Sequence, residues 1–151
     1  MKIVKFVFAI LICHLAGLMG AIFNLNSIDG WYTTIAKPVF NPPNWIFGPV
    51  WTILFILMGI SLYLIWTNKH HFFAMKIFGL QLFLNILWSF LFFGLQNPFA
   101  AFIGIVLLWI SILLMIIQFY KVNRWSALLN IPYLLWVTFA LVLNLAIVIL
   151  N

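Results

Sequence analysis

Five apolar runs, each 18 residues or longer, follow one another along this chain, and charged residues are almost missing within them. At 1.5 Å per residue, a helix of that length crosses about 30 Å of hydrocarbon. The runs are continuously apolar and do not alternate, so helices that satisfy their own backbone fit them and a β-barrel does not. Only 5% of the 151 residues are charged, against about 25% in a soluble domain whose surface must face water. Asp29 is the sole acidic residue. The expected architecture is therefore an all-α integral membrane protein, a five-transmembrane-helix bundle forming one domain over 1–151. Spans are expected near 3–24, 47–67, 77–95, 100–120 and 126–150, with a long loop near 25–46. The first span exceeds a typical signal-peptide core and lacks a small-residue cleavage site, so it is read as a retained helix.

Threading the chain through those spans puts Lys2, Lys5, Lys69, Lys76, Lys121 and Arg124 on one side and Lys37 alone on the other. Cytoplasmic loops are the ones enriched in Lys and Arg. The expectation is a cytoplasmic N-terminus and an external C-terminus. The net charge of +6 is thus a topology signal, and nucleic acid is not an expected partner. Cys13, alone and within the first run, permits no internal disulfide.

Conventional catalytic chemistry finds little to use here. Acid–base catalysis, metal ligation and proton relays in membranes draw on Asp, Glu or clustered His inside the bundle. His14 stands alone in the first span and reads as a hydrogen-bonded packing residue, while His70 and His71 fall in a basic inner loop. Ser61, Ser89 and Ser111 have no carboxylate partner for a triad. No metal site and no required cofactor are expected.

Aromatic and amide residues at helical spacing carry more information. Gln81, Asn85, Trp88, Ser89 and Phe92 share one face of the third span, and Tyr133, Trp136, Ala140 and Asn144 make a similar stripe in the fifth. Trp51, Phe55 and Leu62 lie along one side of the second. Polar side chains in lipid turn inward, either joining helices or lining a site. Gly17 and Ala21 form a small-x-x-x-small pair that permits close helix approach. Pro132 is expected to kink the fifth helix. The outer loop holds Trp31, Tyr32, Pro38, Pro42, Pro43 and Trp45, with Pro49 just inside the next helix, and its prolines predict an ordered path. Aromatic walls with a few polar groups beneath such a loop suit a flat apolar ligand.

The same residues make the chain recognisable. Trp31-Tyr32, Lys37-Pro38, Pro42-Pro43, Phe47-Gly48-Pro49-Val50-Trp51-Thr52, Leu84-Asn85, Leu87-Trp88-Ser89, Pro132-Tyr133-Leu134, Trp136-Val137 and Leu143-Asn144 stand at separations that resemble the translocator protein/TspO family of tryptophan-rich sensory proteins. The resemblance covers nearly the whole chain. It implies a five-helix bundle, usually a homodimer, that binds porphyrins such as protoporphyrin IX and related tetrapyrroles beneath the first loop. Positions matching the family's pocket are Trp31, Tyr32, Pro42, Trp51, Asn85, Trp88, Ser89, Phe92, Trp136, Phe139 and Ala140. Bacterial members are also reported to degrade bound porphyrin in light, and tryptophans matching Trp51 and Trp136 are implicated. Lys37, the lone outer cation, is a candidate to meet a porphyrin propionate.

The chain departs from animal members after Asn144, where Leu-Ala-Ile-Val-Ile-Leu-Asn offers neither the tyrosine nor the cation of their sterol-recognition pattern. Three readings stay open: a tetrapyrrole receptor, sensor or carrier; a light- and oxygen-dependent porphyrin-degrading activity; and transport of a membrane lipid or sterol-like ligand. The chain's short length and lack of a targeting extension lead to the expectation of a bacterial plasma membrane.

Overall fold

A computed structural model of the protein describes residues 2–25, 27–68 and 72–151. Its helices are α1 (Lys2–Asn24), α2 (Trp31–Thr34), α3 (Asn44–Trp66), α4 (Phe72–Ser89), α5 (Pro98–Val122), α6 (Arg124–Leu128) and α7 (Ile131–Leu150), and a π-helical turn at Phe90–Gly94 extends α4. Five segments are long and apolar enough to cross a membrane: Lys2–Asn24, Asn44–Trp66, Phe72–Gly94, Pro98–Val122 and Arg124–Leu150. Among the described residues there is no strand. Lys69, His70 and His71, read above as part of a basic inner loop, lie outside the described residues.

The spans close on one another in a ring. α1 packs on α3 and α4, α4 on α5, α5 on α7, and α3 meets α6. Small residues set the closest approach. A Cβ added at Gly59 would stand 2.7 Å from the Ile10 backbone, and one at Gly17 would stand 2.3 Å from the Phe55 ring, so both positions must be glycine for α1 and α3 to touch as they do. Inward-facing amides and hydroxyls are buried, including Gln81, Asn85, Ser111, Asn130 and Asn144. Exposed Leu, Ile, Val and Phe side chains cover the outside, as a lipid-facing surface requires.

Helix ends follow local chemistry. Asn97 caps α5 by accepting from the Ala100 amide at 3.0 Å, and Pro98 opens that helix where a missing N–H costs nothing. Lys76 falls inside α4, with its ammonium 4.5 Å from the centre of the Phe72 ring, so the third span starts earlier than the apolar run alone suggests.

The fifth span differs from expectation. Pro132 does not kink a continuous helix; it sits in the first turn of α7, and the break falls before it, at Leu129 and Asn130. The break is held by a clasp. Ser126 Oγ lies 2.7 Å from Ser61 Oγ, Ser126 Oγ donates to the Ser61 carbonyl at 3.0 Å, and Asn130 Nδ2 donates to Ser61 Oγ at 2.6 Å and to the Ser126 carbonyl at 2.9 Å. All three residues are fully buried, so the second and fifth spans are locked together at the end opposite the 25–43 loop.

Candidate ligand-binding site

The long loop between α1 and α3 is built by short-range hydrogen bonds around α2. Thr33 and Thr34 hydroxyls donate to the carbonyls of Gly30 and Trp31, both at 2.7 Å, and the Tyr32 hydroxyl donates to Asn41 Oδ1 at 2.6 Å. Long-range contacts seat the loop on the bundle. Ser27 Oγ donates to the Phe93 carbonyl at 2.7 Å, and the Asn151 side chain pairs with both the N–H and the carbonyl of Ala36, each at 3.0 Å. Burial pushes the Tyr32 phenol up to about 12, with the hydrogen bond to Asn41 pulling the other way.

Beneath the loop lies a cavity of about 520 Å³. Its first wall comes from α1, through His14, Gly17, Leu18, Gly20, Ala21 and Asn24; its second comes from the start of α3, through Asn44, Phe47, Gly48, Trp51, Thr52 and Phe55. Asn85 and Ser89 of α4 form the back, and Leu25, Ile28 and Asp29 close the mouth. Trp51 and Phe55 are stacked with centroids 5.5 Å apart and planes at 26°, giving an aromatic wall one turn of α3 long. That wall exists because Gly17 leaves room for the Phe55 ring.

Polar groups stand around the wall. Asn85 Nδ2 donates to the Tyr133 hydroxyl at 3.0 Å, and that hydroxyl donates on to Gln81 Oε1 at 3.0 Å, so Asn85 is fixed by a chain joining α4 to α7. Gln81 itself is fully buried and only joins helices. His14 Nδ1 donates to the Ile10 carbonyl at 3.0 Å, which in the neutral ring leaves Nε2 as an acceptor. Asn24 Oδ1 is buried with no hydrogen-bond partner among the described residues.

A second, shallower hollow of about 420 Å³ lies between α3 and α7, lined by Val50, Ile53, Leu54, Pro132, Leu135, Trp136 and Phe139. It is apolar and opens past the exposed Ile53 and Leu135 side chains towards lipid. The Trp136 indole N–H is buried and has no acceptor among the described residues.

Sequence-predicted site residues are therefore dispersed over five places. Trp51, Asn85 and Ser89 line the cavity. Trp31, Tyr32, Trp88 and Phe92 pack on one another beside it: Trp31 meets Phe92 edge-on at 5.6 Å, Tyr32 at 6.1 Å, and Trp88 stacks on Phe92 at 5.6 Å. Trp88 also donates to Asn144 Oδ1 at 3.1 Å. Trp136 and Phe139 line the lipid-facing hollow, Ala140 packs at the edge of the core, and Pro42 is half-buried in the loop. Lys37 turns to the loop itself, bonding the carbonyls of Tyr32 and Ile35 and lying 4.8 Å from the Tyr32 ring centre.

Sequence reasoning missed His14, Asn24, Asp29, Asn44 and Phe47 as cavity residues. For His14 the signal was present: it precedes Gly17 and Ala21 by three and seven positions and so shares their helix face. For Phe47 it was present too: it precedes Trp51 and Phe55 by four and eight positions on the same helix face, although its contact with Trp136 depends on where α7 lies.

The model of the TspO/MBR family matches residues 9–150 of the chain. The tryptophan-rich protein TspO of Archaeoglobus fulgidus is 46% identical, with 100% of this chain and 99% of that protein covered. Protein CrtK of Rhodobacter capsulatus is 36% identical over 100% of this chain and 95% of its own length. The human translocator protein is 34% identical, with 76% of this chain and 70% of that protein covered.

Proposed function

Since the chain belongs to the TspO/MBR family and is an integral membrane protein, we propose that it is a receptor or carrier for porphyrins and related tetrapyrroles, bound in the cavity beneath the outer loop. The observation that carries this reading is the stacked Trp51–Phe55 wall facing Asn85 and Ser89 across a space of about 520 Å³. That volume lies within the range of about 300–1,000 Å³ usual for small-molecule sites. A planar macrocycle gains by lying along the aromatic wall, and the amide and hydroxyl opposite orient it. The loop above, seated by Ser27 and Asn151, acts as its cover.

In the cell membrane the cover faces outward. Lys2 and Lys5 begin α1, Lys76 lies near the start of α4, and Lys121 and Arg124 flank the junction of α5 and α6, so antiparallel spans carry them all to the end opposite the loop. A positive end of this kind faces the cytoplasm. A bacterial plasma membrane and a homodimer remain part of this reading on the family resemblance.

Titration of the purified protein with protoporphyrin IX in the dark, followed by tryptophan quenching, tests it. Saturable quenching is expected, weakened about tenfold by Trp51→Ala, because losing one large aromatic wall removes about 1 to 1.5 kcal/mol of ring contact. Absence of saturable binding sinks the proposal.

Trp51 also favours a second reading. A macrocycle excited in the cavity would itself be the group oxidised, with dissolved oxygen as the oxidant and the Trp51 indole beside it as an electron relay. Loss of porphyrin absorbance in light and air, absent under argon and in Trp51→Phe, is the outcome that supports it.

A further inference from the structure

The cavity that we read as the ligand site has a charge pattern that sorts what enters it. Among the described residues no Lys or Arg lines it, and Lys37, the only cation of the outer side, is committed to the loop carbonyls of Tyr32 and Ile35. Asp29, the chain's single acid, stands at the mouth and is solvent-exposed. Two helix ends also reach the mouth, the C-terminal end of α1 at Asn24 and the N-terminal end of α3 at Asn44. Their end charges, roughly −0.5 and +0.5, oppose one another, which leaves Asp29 as the one full charge there. Beside it, Asn24 Oδ1 is a buried acceptor without a partner among the described residues, and the stacked Trp51 and Phe55 rings line the wall.

An unpartnered acceptor and one carboxylate, with no cation among the described lining residues, suit a cation or a neutral donor and oppose an anion. We infer that Asp29 is a specificity-determining residue, and that the cavity selects flat aromatic ligands whose rim-facing substituent is cationic or neutral over those that present a carboxylate there. This rests on the cavity's being a ligand site and restricts which ligands it takes. Within the tetrapyrroles it favours esterified side chains over free propionates.

The test uses two pairs of probes on the full chain in a non-ionic detergent: N-methylacridinium against neutral acridine, and protoporphyrin IX dimethyl ester against the free diacid. At separations of about 5 Å near water a unit charge is worth on the order of 1 kcal/mol, so each pair is expected to differ about threefold to tenfold in the direction stated. Asp29→Asn should bring both ratios close to one, Asp29→Glu should keep them, and added salt should shrink them because Asp29 is exposed. A cation preference that is missing, or that survives Asp29→Asn, overturns the inference. If neither porphyrin binds while the acridinium preference behaves as stated, the tetrapyrrole reading falls and the role of Asp29 stands. If porphyrins bind with ratios indifferent to Asp29→Asn, the reverse holds.

Discussion

Phe47 stands edge-on to Trp136 with ring centroids 6.0 Å apart, so that one ring lines the cavity and the other lines the lipid-facing hollow between α3 and α7. The pair is the partition between the two spaces. An edge-to-face pair contributes about 1 kcal/mol beyond its buried area. Phe47→Ala is expected to join the spaces and speed ligand release about fivefold, whereas Phe47→Leu, which keeps bulk, changes it less. Stopped-flow dissociation of a quenching porphyrin reads this directly, and equal rates in Phe47→Ala and wild type would remove the partition.

Gly17 controls the shape of the aromatic wall. A methyl group placed there would meet the Phe55 ring at 2.3 Å, and Phe55 is already stacked on Trp51. Gly17→Ala is expected to push the wall into the cavity, weaken ligand binding about tenfold and destabilise the fold by about 1–3 kcal/mol, the usual range for overpacking. Gly79, where an added Cβ meets nothing within 4 Å, serves as the control. Gly79→Ala should leave affinity unchanged in the same titration.

The clasp of Ser61, Ser126 and Asn130 should show itself in stability and not in binding. Asn130→Ala removes the donor to Ser61 Oγ in a fully buried site. Interhelical hydrogen bonds within membranes are worth about 0.6 to 2 kcal/mol. A lower unfolding temperature in detergent, with dark porphyrin affinity within twofold of wild type, is the expected pair of results. Loss of affinity with unchanged stability would mean that the clasp reaches the site.

Alkaline pH should loosen the loop through Tyr32. Its phenol is pushed up to about 12 from an ordinary value near 10, so folding favours the protonated form. A raised value contributes stability that is fully present below about 10 and is lost as the pH climbs through about 12. Limited proteolysis of the loop is expected to be flat from neutral pH to about 9 and to accelerate above 10. In Tyr32→Phe that alkaline step should be missing, since no proton remains to be lost; a step of unchanged size would assign it elsewhere.

The spans and the family could be read from the chain because both depend on local pattern. Bilayer thickness demands long apolar runs, and Trp51, Asn85 and Trp136 occur inside compound motifs whose spacing survives without coordinates. What could not be read was the division of labour among those residues. Trp51 and Trp136 look equivalent in sequence, yet one borders the cavity and the other the hollow, and that depends on how α3 and α7 splay above the clasp. The behaviour of Pro132 was missed for a related reason. Ser61 and Asn130, 69 positions apart, hold the break that moves the proline to a helix start.

At the C-terminal end of the third span, the Leu95 amide reaches back five residues to the Phe90 carbonyl at 2.8 Å, one residue farther than an α-helical turn allows. That spare residue brings two successive rings, Phe92 and Phe93, within 6.1 and 5.8 Å of Tyr32. The cover is therefore docked by chain length as much as by composition. A single-residue deletion between 90 and 94, conservative in every chemical sense, would rotate one ring away and leave the cover with half its footing.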